Sequence, residues 1–396
     1  MVAPHDLSGV WAGLLTVPYA VSISELVTTF LARFLPGWAV DLIIMVLVSL
    51  ILLIGGLVAL LLYTYVERKI GGRIQDRIGP NRAGPLGILQ PIADVIKVLI
   101  KEDIRPSAAH RWVHTLAPIL IVPPVFLVLA VIPFGRGMVA ADLNIGFLYI
   151  MAVSSTASIA IFMAGWGSRN KYALLGALRA VAQIISYEVP QALSVVGVLI
   201  LTGSLSMVSI VEAQHPVWFV FLQPVGFLIF LIASIAEINR TPFDLPEAES
   251  ELVAGYHIEY SGLKFAMFYL AEYLGPLIVS AISVTLFLGG WRGPLLPPVI
   301  WFFVKTLLMV FVLLWIRWSL PRLRVDQLMN VAWKFLVPLA LANLLMAAVV
   351  ASLTRGAGPA LTLAGFTLGN LLLVAGTAIV LALVAPPERE RAGGVA

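Results

Sequence analysis

The stretch 42–65, LIIMVLVSLILLIGGLVALLLYTY, decides the fold of this chain. It contains no charged residue, and it is longer than the about 20 residues that an α-helix needs to cross the hydrocarbon core of a bilayer. A segment in lipid must satisfy its own backbone hydrogen bonds, and a helix does so within one segment. The stretch therefore predicts a transmembrane α-helix.

Similar apolar runs follow along the chain, so the predicted fold class is an all-α polytopic membrane protein. Eight transmembrane helices are expected at 42–65, 115–134, 145–166, 178–202, 217–237, 263–288, 298–318 and 331–353, with a ninth at 361–384. Residues 21–35 carry Glu25 and Arg33 within helically spaced apolar residues, which is typical of an amphipathic helix at the membrane interface. With no Lys or Arg before residue 33, a cleaved signal peptide is not expected.

This pattern predicts three regions. They are an N-terminal extension with the interfacial helix over 1–41, a membrane domain over 42–353, and an extra transmembrane helix with a short tail over 354–396.

The composition agrees with a membrane location. Of 396 residues, 60% are hydrophobic and 12% are charged, whereas a soluble protein has about 25% charged residues. The chain has no cysteine, which excludes disulfides, thiolate metal sites, iron–sulfur ligation and cysteine nucleophiles. Any redox chemistry must therefore use a diffusible substrate or the cofactors of a partner. The net charge of +4 is interpreted as a topology signal, and no nucleic-acid partner is expected.

The basic residues alternate between loops as the positive-inside rule requires. Segments 66–114, 167–179, 238–264 and 317–334 hold 9, 3, 2 and 4 Lys and Arg residues, against Arg136, Arg292 and Arg355 in the intervening loops. This pattern predicts that the N-terminus lies outside and that the four basic loops lie in the cytoplasm. The Arg389 and Arg391 tail is then cytoplasmic as well.

Three carboxylates, Glu188, Glu237 and Glu272, lie in or at the ends of predicted spans, where an ionised side chain is costly unless it faces a polar cavity or a partner. Pairing with Arg179, Arg240 or Lys264 is one explanation, and a position at the interface is another. Three such residues on three helices favour a proton route.

The segment 237–264 holds six acidic and two basic residues on a side that should be positive. Asp244 and Glu247 are spaced as a capping box that opens a short helix, with Gly255 as its stop. This leaves Glu249, Glu251 and Glu259 unexplained. Carboxylates packed this densely near a low-dielectric boundary should titrate together, although a solvated acidic loop is the simpler alternative.

The first basic loop offers fixed cations, Arg73, Arg77 and Arg82, among turn-forming Gly-Pro pairs. An amphipathic helix is expected over 86–101, where Asp94 is spaced to pair with Lys97. His110 and His114 have a metal-ligand spacing, but a third ligand is absent nearby in sequence, so no metal site is predicted.

Four segments resemble one family. They are ERKIGGRIQDRIGPNRAGPLGILQPIADVIKVLIKED (67–103), GWGSRNKYALLGALRAVAQIISYE (165–188), AEINRTPFDLPEAESELVAGYHIEYSGLKFAMFYLAEY (236–273) and RVDQLMNVAWKFLVPLAL (324–341). The family is that of the quinone-site membrane subunit of respiratory complex I. The resemblance covers about 42–353, and that family usually has eight spans, so both ends of this chain depart from its pattern.

The resemblance implies roles for named residues. By similarity, the quinone chamber or its floor is lined by Glu67, Arg68, Arg77, Asp94, Arg240, Asp244, Glu247, Glu249 and Glu251. The residues that resemble the family's acidic chain toward the proton-pumping subunits are Glu188, Glu237, Glu259 and Glu272. The chain itself would carry out no catalysis alone.

The resemblance also implies the surroundings of the chain. It would bind no redox cofactor, quinone would be the substrate, and iron–sulfur clusters and FMN would reside in partner subunits. The expected partners are peripheral iron–sulfur subunits at the cytoplasmic loops, small membrane subunits and antiporter-like subunits in a bacterial inner membrane.

Three alternatives stay open at this point. The chain is compatible with the related membrane anchor of an energy-converting [NiFe] hydrogenase and with a quinone reductase fed by ferredoxin or another donor. An independent ion-coupled transporter is the third, although the long basic first loop favours docking of soluble partners.

Overall fold

The computed structural model describes residues 36–215, 217–245, 254–356 and 358–384. Within these ranges the chain is helical and contains no β-strand, which confirms the predicted all-α polytopic class. The expected interfacial helix at 21–35, the capping position Glu247 and the tail with Arg389 and Arg391 lie outside the described residues. The chain divides after Gly55 into two units, and the contacts described below lie within Gly56–Ala396.

Thirteen α-helices follow one another in the described residues. They are α1 Gly37–Ile74, α2 Gln90–Ile100, α3 Arg111–Leu129, α4 Gly146–Gly167, α5 Lys171–Thr202, α6 Met207–Ala213, α7 Phe219–Leu222, α8 Pro224–Glu237, α9 Gly262–Phe287, α10 Pro298–Ser319, α11 Val325–Asn330, α12 Val337–Leu353 and α13 Pro359–Val384. A π-helical turn, Val331–Leu336, joins α11 to α12, and 3-10 turns lie at Pro85–Gly87 and Gly255–His257.

Eight helical segments in the described part of the chain are long and apolar enough to cross a bilayer, and α8 is a shorter apolar helix. All nine predicted spans therefore correspond to helices. The fifth span, expected to be continuous over 217–237, is broken at Gln223. Pro224 lacks an N–H and disfavours helical geometry in the residue before it, so Gln223 adopts φ −131° and ψ 59° and separates α7 from α8.

The amphipathic helix is shorter than the predicted 86–101. The chain turns first at Leu86, with φ 55°, and at Gly87, with φ 83°, and α2 begins only at Gln90. A side chain at Gly87 would clash with the Pro80 carbonyl oxygen, so glycine is required for this turn. Ile92, Ile96 and Leu99 of α2 remain exposed, as expected for a helix at a membrane surface.

Small residues let the central helices pack closely. Ala160 and Ala164 of α4 and Ala177 and Ala180 of α5 are fully buried. A side chain on Gly176 of α5 would meet the backbone of Gly255 at 2.7 Å. Packing through small residues is typical of helices in membranes, and here it also presses the Gly255–His257 turn against α5.

The ninth span, α13, packs against α12 and α7. Phe366 is fully buried, and the buried Asn370 amide donates to the Leu222 carbonyl at 2.8 Å and to the Phe366 carbonyl at 2.7 Å. Leu222 is the last residue of α7, so Asn370 satisfies one of the carbonyls that the break at Gln223 leaves free.

Lys305 of α10 is a buried cation that the sequence analysis did not predict. Its ammonium group donates to the carbonyls of Leu288 at 2.6 Å, Gly290 at 3.1 Å and Arg292 at 2.5 Å, and it lies 4.2 Å from the centre of the Trp218 ring. These carbonyls follow the C-terminal end of α9, where a helix leaves acceptors unsatisfied and where a cation is favourable.

We predict that Lys305→Met lowers the stability of the folded chain by about 2 kcal/mol, because three buried or partly buried carbonyl groups lose their donor. The thermal melting temperature of the purified protein in detergent measures the effect. Leu308→Met, at an exposed position of the same helix, is the matched control and should melt as the wild type does. Equal melting temperatures for the two variants would contradict the capping role of Lys305.

Candidate functional site

A buried ionic network joins four segments of the bundle. Glu67 of α1 pairs with Arg317 of α10, and its Oε1 lies 3.7 Å from Nη1 of Arg240, which follows α8. Nη2 of Arg240 lies 3.3 Å from Oε1 of Glu272 on α9. The side chains of Glu67, Arg240 and Glu272 are 4%, 5% and 9% exposed. Two acids and two bases thus balance in a site removed from water.

Aromatic rings complete this network. The Arg240 guanidinium lies 4.3 Å from the centre of the Tyr273 ring, and the Tyr63 and Tyr273 rings meet edge to face at 6.2 Å. A guanidinium is stabilised over an aromatic face, more so when it is desolvated. The rings therefore hold Arg240 between its two carboxylates without adding charge.

Gln183 fixes the loop that carries Arg240. This buried side chain on α5 donates to Ala236 O at the end of α8 (2.7 Å) and, in the loop that follows, to Phe243 O (2.7 Å) and Asn239 Oδ1 (3.2 Å). From the other side, the Leu323 N–H donates to Pro242 O at 3.0 Å, and the Arg322 guanidinium donates to the Asp244 carbonyl. The loop after α8 is therefore positioned by α5 and by the segment between α10 and α11.

Helix α2 is attached to the end of α1 by ionic and polar contacts. Nη1 of Arg68 lies 2.5 Å from Oδ2 of Asp94, Gln90 donates to Asp94 at 3.1 Å, and Lys97 lies 3.6 Å away. Partial burial would raise the pKa of Asp94, but the hydrogen bonds from Arg68 and Gln90 outweigh it and lower the pKa below its usual value. The Asp94 carboxylate is thus ionised at neutral pH. The predicted Lys97 partner is present, and Arg68 is the closer one.

The segment after α2 is attached to the start of α9. Lys264 Nζ lies 2.8 Å from Oδ2 of Asp103, and the Ile104 N–H donates to the Ser261 hydroxyl at 2.8 Å. Helix α2 therefore lies between attachments to α1 at one end and to α9 at the other.

A second polar cluster lies around Glu237 at the end of α8. Gln191 of α5 donates to Oε2 of Glu237 at 2.6 Å and to Ser234 at 3.0 Å. Glu188 lies three residues before Gln191 on the same helix, and it interacts electrostatically with Glu237. One carboxylate oxygen of Glu188 is buried without a hydrogen-bond partner among the described residues. The cluster therefore brings two acids together, and a glutamine rather than a base contacts the inner one.

A cavity joins the two polar groups. It encloses about 1050 Å³ of empty space, open solvent included, among helices α3, α4, α5, α8 and α9. Its lining is mainly apolar, with Glu237 and Glu272 on its wall together with Gln191, Ser154 and Asn239. Glu272 thus faces the cavity and also belongs to the ionic network.

The remaining predicted residues lie apart from these groups. Arg77 is exposed and donates to Gln75 at 2.7 Å. Glu259 accepts a 2.7 Å hydrogen bond from Asn170. Asn170 lies just before α5 and is about 27 Å from Glu188 along the axis of that helix. Asp244 accepts a hydrogen bond from the Arg322 guanidinium through its backbone carbonyl. Glu247, Glu249 and Glu251 lie outside the described residues.

One of the alternative pairings expected for the buried acids is present in the described residues. Arg240 pairs with Glu272, whereas Lys264 pairs with Asp103.

His114 stacks on Tyr260 with the rings 4.0 Å apart. Nearby His257 is buried, and desolvation lowers its pKa to about 4, so it is neutral at physiological pH. Among the described residues, no group of three or more His, Cys, Asp or Glu could hold a metal ion.

Several side chains of the site were not predicted from the sequence, among them Arg317, Gln183 and Gln191. Arg317 contributes to the sequence pattern only as a loop charge, and Gln183 and Gln191 are neutral residues of a predicted span. A signal is available for the glutamines, because a buried amide inside an apolar helix needs partners. No local signal identifies Glu67 as the partner of Arg317, since they are 250 positions apart.

Most of this chain is similar in sequence to known proteins. Residues 42–348 match the family model described as NADH dehydrogenase. The H subunit of NADH-quinone oxidoreductase from Dehalococcoides mccartyi (strain CBDB1) is 59% identical over 309 residues, which cover 78% of this chain and 87% of the relative. Proteins of the same name from Brevibacillus brevis and Geobacillus kaustophilus are 52% and 51% identical, over 81% and 80% of this chain and 97% and 96% of their own lengths.

The matched region contains both polar groups and the cavity, whereas α13 lies beyond it. The chain therefore belongs to the NADH dehydrogenase family, as a multi-pass membrane subunit of the H type in an NADH-quinone oxidoreductase, or complex I.

Proposed function

We propose that this chain forms the membrane side of a quinone-binding chamber and the first section of a proton route. Reduction of a quinone to a quinol consumes two electrons and two protons. The electrons come from an iron–sulfur cluster in a peripheral partner, fed by an FMN-containing NADH module. The observation that carries the proposal is the position of Glu272, which pairs with Arg240 and also lines the cavity that reaches Glu237.

The chamber is formed at the ends of α1, α2, α9 and α10. Helix α2 lies at the membrane surface with exposed apolar side chains, which suits the entry of a hydrophobic quinone from the bilayer. Arg68, Asp94 and the Glu67–Arg317–Arg240 group form its polar side. In this proposal Asp244, Arg77 and the cluster Glu247, Glu249 and Glu251 contribute to the floor and the rim.

Electrostatics couples the chamber to the cavity. A reduced quinone carries negative charge until it is protonated, and the guanidinium groups of Arg240 and Arg317 stabilise that charge. When Arg240 interacts with new negative charge, its attraction for Glu272 weakens. At an effective dielectric constant near 20, two unit charges 4 Å apart interact by about 4 kcal/mol, which is enough to change protonation states.

The proton route then runs from Glu272 through the cavity to Glu237 and Glu188. Gln191 positions the Glu237 carboxylate one helical turn from Glu188, since its amide donates to it. Water that enters the cavity relays the proton between carboxylates, as polar groups in a cavity of this size can hold it. Glu259, which is held by Asn170, serves at the cytoplasmic entrance.

The names of the relatives support quinone as the substrate. Each of the three is a quinone oxidoreductase subunit by name, which favours a quinone reductase over the anchor of a [NiFe] hydrogenase. The identity of the donor module depends on the peripheral partners, which we propose dock on the basic loop 66–114 and the acidic loop 238–264. Small membrane subunits and antiporter-like subunits continue the proton route.

We expect Arg317→Gln to lower quinone reductase activity roughly tenfold or more, because the variant removes a cation near the reacting quinone and leaves Glu67 buried without its partner. NADH-dependent reduction of a short-chain quinone by the purified complex measures this. Reduction of ferricyanide by the same preparation should be unchanged, since it does not require the membrane chamber. Arg136→Gln, an exposed outer-loop variant, is the control, and equal quinone activity of both variants would refute the assignment.

Glu188→Gln should lower both quinone reduction and proton pumping, while the complex still assembles. The neutral amide can hydrogen-bond but cannot accept or release a proton, so the route stops at α5. Quinol formed and protons moved are measured together in proteoliposomes. Glu212→Gln, on the exposed side of α6, should pump normally. Normal pumping in the Glu188 variant would remove this residue from the route.

The proposed topology has the N-terminus outside and the basic loops in the cytoplasm of a bacterial cell. The chain has no native cysteine, so single cysteines can report their own side of the membrane. Leu295→Cys should react with an impermeant maleimide in intact cells, because this loop residue is fully exposed and lies outside in the proposed orientation. Leu320→Cys should react only after permeabilisation. The reverse labelling pattern would overturn the orientation.

A further inference from the structure

A second groove lies on the outside of the bundle, away from the cavity described above. It is formed by one face at the end of α1 and one face of α10, and it encloses about 970 Å³ of empty space, open solvent included. Its lining residues are Lys69, Ile70, Arg73, Ile74, Phe311 and Trp315. We call it the α1–α10 groove. Neither the ionic network nor the proposed proton route uses it.

The groove presents two cations to one ligand. Lys69 and Arg73 are four residues apart on α1, so they lie on the same face of the helix with their Cβ atoms about 6 Å apart. Neither forms an ion pair with a carboxylate in the described ranges, although their neighbour Arg68 pairs with Asp94. Their charge is therefore available to an anion from outside the chain.

The floor of the groove is apolar and aromatic. Phe311 and Trp315 are 50% and 60% exposed, and their rings lie 6.4 Å apart along α10. Leu307 and Leu308 continue this exposed apolar surface along the same helix. Tryptophan is enriched at the headgroup level of membranes, so the cations lie where headgroups lie and the apolar surface continues toward the bilayer core.

An uncharged hydrophobic ligand, such as the tail of a quinone, would leave Lys69 and Arg73 without a function in the groove. A soluble anion would leave the exposed aromatic floor unexplained. We propose that the α1–α10 groove binds an anionic phospholipid of the surrounding bilayer. Its phosphate lies between Lys69 and Arg73, and an acyl chain lies along Phe311 and Trp315.

A lipid bound in the α1–α10 groove would lie close to the ionic network. Lys69 follows Glu67 by two residues on α1, and Phe311 and Trp315 precede Arg317 on α10. Gly71 of α1 also packs directly under the Trp318 ring of α10. A lipid in the groove thus contacts both helices that contribute the Glu67–Arg317 pair, and it stabilises their contact.

The test measures lipid retention by the purified complex. After delipidation in detergent, the complex is titrated with phosphatidylglycerol or with phosphatidylcholine, and bound lipid is counted by native mass spectrometry. The double variant Lys69→Gln/Arg73→Gln should bind phosphatidylglycerol roughly tenfold more weakly, since each basic residue near an anionic lipid contributes to its affinity. Binding of phosphatidylcholine should not change.

Two further variants make the result specific. Arg169→Gln/Lys171→Gln removes two exposed cations before and at the start of α5 and should retain phosphatidylglycerol as the wild type does. The charge-conserving exchange Lys69→Arg/Arg73→Lys should also retain it. Equal retention by Lys69→Gln/Arg73→Gln and by the control would overturn the proposal.

A measurement on the wild-type complex does not depend on the folding of a variant. A photoreactive phosphatidylglycerol should crosslink to peptides that contain 69–74 or 311–315, and excess phosphatidylglycerol should compete more strongly than phosphatidylcholine. Crosslinks confined to other peptides, or equal competition by both lipids, would show that the groove does not select an anionic lipid.

Discussion

The burial of the Glu67, Arg240 and Glu272 side chains, with half-buried Arg317 beside them, is the constraint on which the rest of the site depends. Removing one charge from water costs several kcal/mol, and opposite charges offset this cost only when their geometry is fixed. The fold meets the condition by bringing α1, α9, α10 and the loop after α8 to one place. A change of charge on any member, or on a ligand beside them, must therefore alter the others.

The bilayer explains why the network is confined. Lipid covers the outside of the helices, so the chain needs few charged residues, and the 12% that it has can be concentrated where chemistry requires them. Irregular backbone is tolerated at membrane depth only where protein or a cavity satisfies its polar groups. The break at Gln223 meets this requirement through Asn370, and the end of α9 meets it through Lys305.

Coupling between the two polar groups follows from one shared side chain. Glu272 contacts Arg240 in the ionic network and faces the same cavity as Glu237. The cavity is largely apolar, so interactions between charges across it are weakly screened. In the proposed function, a change of charge at one end alters the electrostatic energy of the carboxylates at the other.

Much of the fold was determined by the sequence alone, because hydropathy and charge are local properties. All nine predicted spans are helices in the described residues, and isolated carboxylates such as Glu188, Glu237 and Glu272 are visible as polar residues among apolar ones. The helix break at Gln223 was missed although Pro224 signals it, since the apolar run continues through it. Tertiary structure alone decided the pairings. Glu67 finds Arg317 and Glu272 finds Arg240 because helix packing brings distant segments together, and no local pattern encodes which buried charge will face which.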